Sequence, residues 1–134
     1  MHNFDKEDKE KAMNGISTFG RVLFGGSLFV FGAQHFIYAA FVATLVPAWI
    51  PARLFWAYFV GAAFVAAGLA IVFRVRARLG ATFLGVMFLV FVLIVHAPRI
   101  LQRSRNSNEW TSGFVALAMC GGALMVASAA RKER

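Results

Sequence analysis

The sequence predicts an all-α membrane protein, a bundle of four transmembrane helices, and three observations carry that prediction. Of its 134 residues, 60% are hydrophobic and only 15% charged, far from the balance of an ordinary soluble domain. Four stretches reach the roughly 20 apolar residues that a helix needs to cross a bilayer. Between Lys11 and Glu133 the sole acidic side chain is Glu109, so the net charge of +8 comes from basic residues set between apolar blocks. Helices are the expected form, because hydrocarbon leaves backbone groups no partner outside their own segment. The shorter alternating segments of a barrel are absent from the sequence. No polar face gathers the basic residues, which excludes a nucleic-acid binder.

Residues 1–19 begin "MHNFDKEDKEKAMNG", which mixes acids with lysines, whereas a secretory signal starts short and basic. They are expected to be a retained, mobile cytoplasmic tail. Residues 20–130 form the four-helix domain, and residues 131–134 form a second cytoplasmic tail. The first span runs from about Gly20 to Tyr38 and the second from about Pro51 to Phe73. The third runs from about Leu79 to His96 and the fourth from about Trp110 to Ala129.

The first two spans are joined by "AAFVATLVPAWIPARLFW", apolar but broken by Pro47 and Pro51. Such a segment cannot lie unpaired in hydrocarbon, so it is expected at the interface as an outer lid containing proline and tryptophan. Trp49, Trp56 and Tyr58 suit that depth. Phe41, Val42, Leu45 and Val46 have the spacing of a short amphipathic turn, and Pro51 fits the first turn of the second span. "RVRAR" alone joins the second and third spans, which makes them antiparallel neighbours.

Lys and Arg counts set the orientation. Lys6, Lys9, Lys11, Arg21, Arg74, Arg76, Arg78, Arg131, Lys132 and Arg134 make ten on one side. Arg53, Arg99, Arg103 and Arg105 make four on the other. Basic residues stay inside, so both termini are expected in the cytoplasm. Small residues on one face mark helix contacts: Gly25 and Gly32, then Ala57, Gly61 and Gly68, then Gly113, Ala116 and Cys120. Cys120 is the sole cysteine, which rules out self-contained dithiol chemistry.

His35, His96 and Glu109 all fall in the outer slab, and ionisable groups at membrane depth usually face the bundle interior. Helical phase allows all three to point inward. His96, just before Ala97-Pro98, ends the third span; it reads either as a site residue or as a cap at the water line. Glu109, three residues after Asn106, reads equally as part of a capping box or as an inward group. Gln34 and His35 read as polar links between helices or as site residues. Trp110 and the outer arginines read as interfacial anchors, with Glu109 available to any of those arginines.

The set "GRVLFG…FVFGAQHF", "VPAWIP", "FWAYFVGAAFVAAGLAI", "LIVHAP" and "NEWTSG" resembles the DoxX family of small bacterial membrane proteins over residues 19–128. The resemblance implies a multi-pass protein of the bacterial inner membrane, associated with membrane redox systems and any redox partner protein they contain. It supplies no catalytic motif to carry over. The leading expectation is a lipophilic, quinone-like ligand in an outer-leaflet pocket, held by His35, His96, Glu109, Gln34, Trp110 and Trp49. One alternative is a non-catalytic subunit or assembly factor docking through its glycine-lined helices, with self-association among its options. Another is a haem or metal site on His35 and His96, with His/His/Glu as the zinc or iron set.

Overall fold

The computed structural model describes residues 2–132. Among these, the regular elements are all helical: α1 (His2–Ile37), α2 (Ala39–Leu45), α3 (Arg53–Val72), α4 (Ala77–Phe91), α5 (Ala97–Gln102) and α6 (Ser107–Lys132). One widened turn of π-helix, Val92–His96, welds α4 to α5. Four continuous helical stretches are long and apolar enough to cross a membrane: Phe4–Ile37, Arg53–Val72, Ala77–Gln102 and Ser107–Ala130.

The packing inverts that of a soluble domain. The core is built mostly of small side chains, including Ala57, Ala67, Ala81, Ala116, Cys120 and Ala123, and among the described residues only Leu28, Ile71 and Leu84 are large and fully buried. Phe29, Phe59, Val86, Leu93 and Leu117 point outward, and no polar or charged side chain is buried among the described residues. Apolar side chains outside and small ones inside is the pattern expected where lipid is the solvent and helices associate by close approach.

That approach is closest between α1 and α3, which run antiparallel. A Cβ added to Gly25 would sit 2.8 Å from the Gly68 carbonyl oxygen, and one added to Gly68 would sit 2.6 Å from that of Gly25. Two turns along, Gly32 faces Gly61 in the same way, at 2.8 and 3.2 Å. The two backbones therefore approach closely at two levels, where Val72 and Val65 side chains also press on the α1 glycines. At the far end Arg21 Nη1 donates to the carbonyl oxygens of Ile71 (2.9 Å) and Val72 (2.6 Å), covering two acceptors that the end of α3 leaves free. Arg21 thus has a structural role beyond that of a topology signal.

α4 and α6 form the second antiparallel pair. Cys120 is buried and its thiol donates to the Gly85 carbonyl, 3.2 Å away. α3 joins the two pairs through α4, with Phe64 packed on Phe88 at 5.4 Å between ring centroids.

Three local expectations are corrected. The first helix does not begin near Gly20 but extends back through residues 2–19; the stretch is rich in strong helix formers, and Lys9 pairs with Asp5 one turn earlier at 2.9 Å. Pro51 is not in the first turn of α3, because Ala52, left-handed at φ 54°, is the N-cap and the helix begins at Arg53. His96 does not end its helix. In an unbroken α-helix the Pro98 ring would strike the Ile94 carbonyl and leave it without a donor. Widening the turn lets the chain absorb the proline, and the Ala97 N–H bonds back to Val92 five residues earlier.

The glycine contacts yield a graded prediction. Gly68→Ala places a methyl against a backbone oxygen that cannot swing aside, and should destabilise the protein by about 1–3 kcal/mol despite the better helix propensity of alanine. Gly26→Ala, with nothing within 4 Å of its added carbon, should be neutral or slightly stabilising. Thermal unfolding in detergent measures both, and equal effects would refute the contact.

Candidate functional site

α2 and the segment 46–52 lie beside the start of α3. Val46 is extended, as a residue before proline prefers, and Ile50 N–H donates to Pro47 O across a tight turn at 3.0 Å. This segment, α3, the end of α4 and the π-turn border a half-open cavity of about 430 Å³. Leu45, Pro47 and Ile50 form one wall, Trp56, Val60 and Phe64 a second, and Val90, Phe91 and Ile94 a third. His35, His96 and Arg99 supply its ionisable groups.

Each histidine sits against a glycine of a neighbouring helix. A Cβ on Gly61 would fall 2.7 Å from the Cβ of His35, so only glycine admits α1 at that point. His96 Cβ lies 3.5 Å from the corresponding position on Gly113, an ordinary contact. The His35 Nδ1 is 2.7 Å from the Phe31 carbonyl, which can only accept, so Nδ1 carries a proton. In the neutral ring Nε2 is then an acceptor. The ring stands edge-on to Phe64, with centroids 5.1 Å apart, which fixes its tilt. His96 Nδ1 is shielded from solvent and has no hydrogen-bond partner in the protein.

Glu109 does not line this cavity. Its carboxylate, 12% exposed, lies 3.9 Å from Arg99 Nε and 3.6 Å from Arg103 Nη1. It therefore reaches the cavity only through Arg99, as a group that holds the guanidinium between α5 and α6. Asn106 caps α6 through a different bond from the expected capping box: its Oδ1 accepts from the Asn108 N–H at 3.0 Å, not from that of Glu109. The reciprocal bond from the Glu109 carboxylate is also missing, because the Asn106 N–H is already bonded to Arg103 O.

The remaining candidates lie elsewhere. Gln34 is exposed on α1 and Trp49 is 73% exposed, and neither lines the cavity. Trp110 also stays outside it, donating from Nε1 to Ser104 O at 2.9 Å and stacking on Phe114. Among the described residues no three His, Cys, Asp or Glu side chains come together, so the His/His/Glu metal set is not assembled. Arg99, read from the sequence as an interfacial anchor, is instead a cavity residue. The signal was present in Ile100 and Leu101, apolar residues beyond Pro98 that continue the helix.

No protein of curated function and no solved structure matches the chain. A family model described as a domain of unknown function, DUF8561, matches residues 24–131, and the chain belongs to that family.

Proposed function

We propose that this chain is a DoxX-like integral protein of the bacterial inner membrane that binds a lipophilic, quinone-like ligand in the cavity between α2, α3 and the π-turn. One observation carries the reading: two histidines from separate spans, His35 and His96, face a single cavity that is otherwise almost wholly apolar. Apolar walls with a few convergent polar groups suit a flat ring with polar oxygens at its rim. The volume, about 430 Å³, accommodates such a ring with the start of an apolar tail.

The chemistry available is binding and proton exchange. Neutral His35 offers Nε2 as an acceptor to a hydroxyl of the reduced ring; protonated, it donates from the same atom to a carbonyl of the oxidised ring. Arg99, held by Glu109, supplies a fixed positive charge at the mouth. Electrons would come from a redox partner, since Cys120 is buried and single. The segment containing Pro47 acts as a lid over the cavity.

The orientation follows the basic residues. Both termini lie in the cytoplasm and the cavity opens in the outer leaflet. In a Cys120→Ser background, Trp49→Cys and Asn106→Cys should react with an impermeant thiol reagent in intact cells. Labelling of Asn3→Cys instead would reverse the topology.

Binding is tested with a short-chain benzoquinone and the purified protein. His96→Ala and His35→Leu should each weaken binding about tenfold, the loss of roughly one good hydrogen bond, with the melting temperature within a few degrees of the parent. Trp110→Phe, outside the cavity, should bind as the parent does. Unchanged affinity in both histidine variants would refute the assignment.

A further inference from the structure

A second cavity lies at the opposite end of the bundle, where the chain turns from α3 into α4 within four residues. Arg74 (φ 61°) and Arg76 (φ 52°) are both left-handed there, and Arg76 is the N-cap of α4. The cavity, about 640 Å³, is lined by Arg74, Arg76 and Arg78, by Leu79 and Thr82 of α4, and by Ala130 of α6. We propose that it binds a phosphate group, carried by the headgroup of an anionic phospholipid.

Three arginines within five residues border one concave space. Arginine presents paired N–H donors that match phosphate oxygens two at a time, which a lysine cannot do. Arg74 has an interaction of its own, so the assignment stands on Arg76 and Arg78. The first turn of α4 contains no acidic residue and Arg76 makes no side-chain cap, so the positive end of the helix adds to the same field. From Ala12 to Asn108 the chain has no carboxylate side chain, so none neighbours Arg76 or Arg78 in sequence.

Position and size favour a lipid over a free ion. The spans Arg53–Val72 and Ala77–Gln102 end and begin at this turn, so the cavity lies at headgroup depth. Leu79 and Ala130 border it with apolar surface, fit for the glycerol and upper acyl carbons that follow a lipid phosphate. The volume far exceeds that of a bare phosphate. Basic pockets between membrane helices at this depth hold anionic headgroups.

Native mass spectrometry of the full chain in detergent, titrated with phosphatidylglycerol, phosphatidylcholine or inorganic phosphate, tests this. The wild type should retain phosphatidylglycerol in preference to phosphatidylcholine, and retention should fall as salt rises. Arg76→Gln with Arg78→Gln should cut retention about tenfold or more. Arg53→Gln with Arg105→Gln, an equal charge loss at the other end, should leave it within about twofold. Should the first variant not fold, Arg78→Lys keeps the charge and should still weaken retention by losing the paired donors. Equal retention of the two lipids by the wild type would overturn the proposal, as would equal losses in the two double variants. Arginine-dependent binding of inorganic phosphate without lipid preference would overturn the lipid assignment.

Discussion

Two backbone contacts between α1 and α3 hold the rest of the molecule in register. Gly25 meets Gly68 and Gly32 meets Gly61, each at a distance that leaves no room for a methyl group. In lipid, apolar side chains gain little by leaving their solvent, so close approach and the dispersion it allows must do the work that burial does in water. The spacing of seven on both helices places each pair of glycines on one face, two turns apart. Antiparallel helices matched at two such points cannot slide or rotate independently. Arg21, bonded to the last carbonyls of α3, fixes the same pair at its other end.

The cavity is a consequence of that register. His35 lies three residues past Gly32, and Phe64 three past Gly61, so the contact that joins the helices also sets the imidazole edge-on to the ring. Phe64 in turn packs on Phe88, and Phe88 meets Phe91, so the floor of the cavity is aromatic. The fourth side depends on the π-turn. A proline four residues after Ile94 cannot be accommodated in an α-helix without loss of a hydrogen bond, and the widened turn solves this while offsetting the face that follows. His96 and Arg99 reach the cavity from that offset stretch. Glu109, 3.9 Å from Arg99 Nε, biases the guanidinium toward α6 at the mouth of the cavity.

Much of this was legible in the sequence, and the rest was not for identifiable reasons. The four spans followed from hydropathy, because bilayer thickness leaves few solutions. The glycine faces followed from spacing, and both histidines were singled out because ionisable groups at membrane depth are costly. The conformation of residues 2–19 was missed because a charged stretch reads equally as a solvated tail or as a helix stabilised by pairs such as Asp5–Lys9. Gln34, Trp49 and Trp110 were grouped with the histidines by depth alone, yet depth does not say which way a side chain faces. The helix was ended at His96 because proline usually stops a helix. Only the apolar residues beyond it, Ile100 and Leu101, hinted that it would continue.

The account turns on His35 and His96 sharing one cavity that the α1–α3 glycines hold in place. Nitrogen NMR of ¹⁵N-histidine-labelled protein in micelles tests this directly, since the chain has only three histidines, including His2. On addition of a short-chain benzoquinone, the resonances of His35 and His96 should move together along one binding curve while His2 stays fixed. In Gly32→Val, which forces α1 off α3, both responses should vanish. Movement of one histidine without the other, or an unchanged response in Gly32→Val, would contradict the shared cavity.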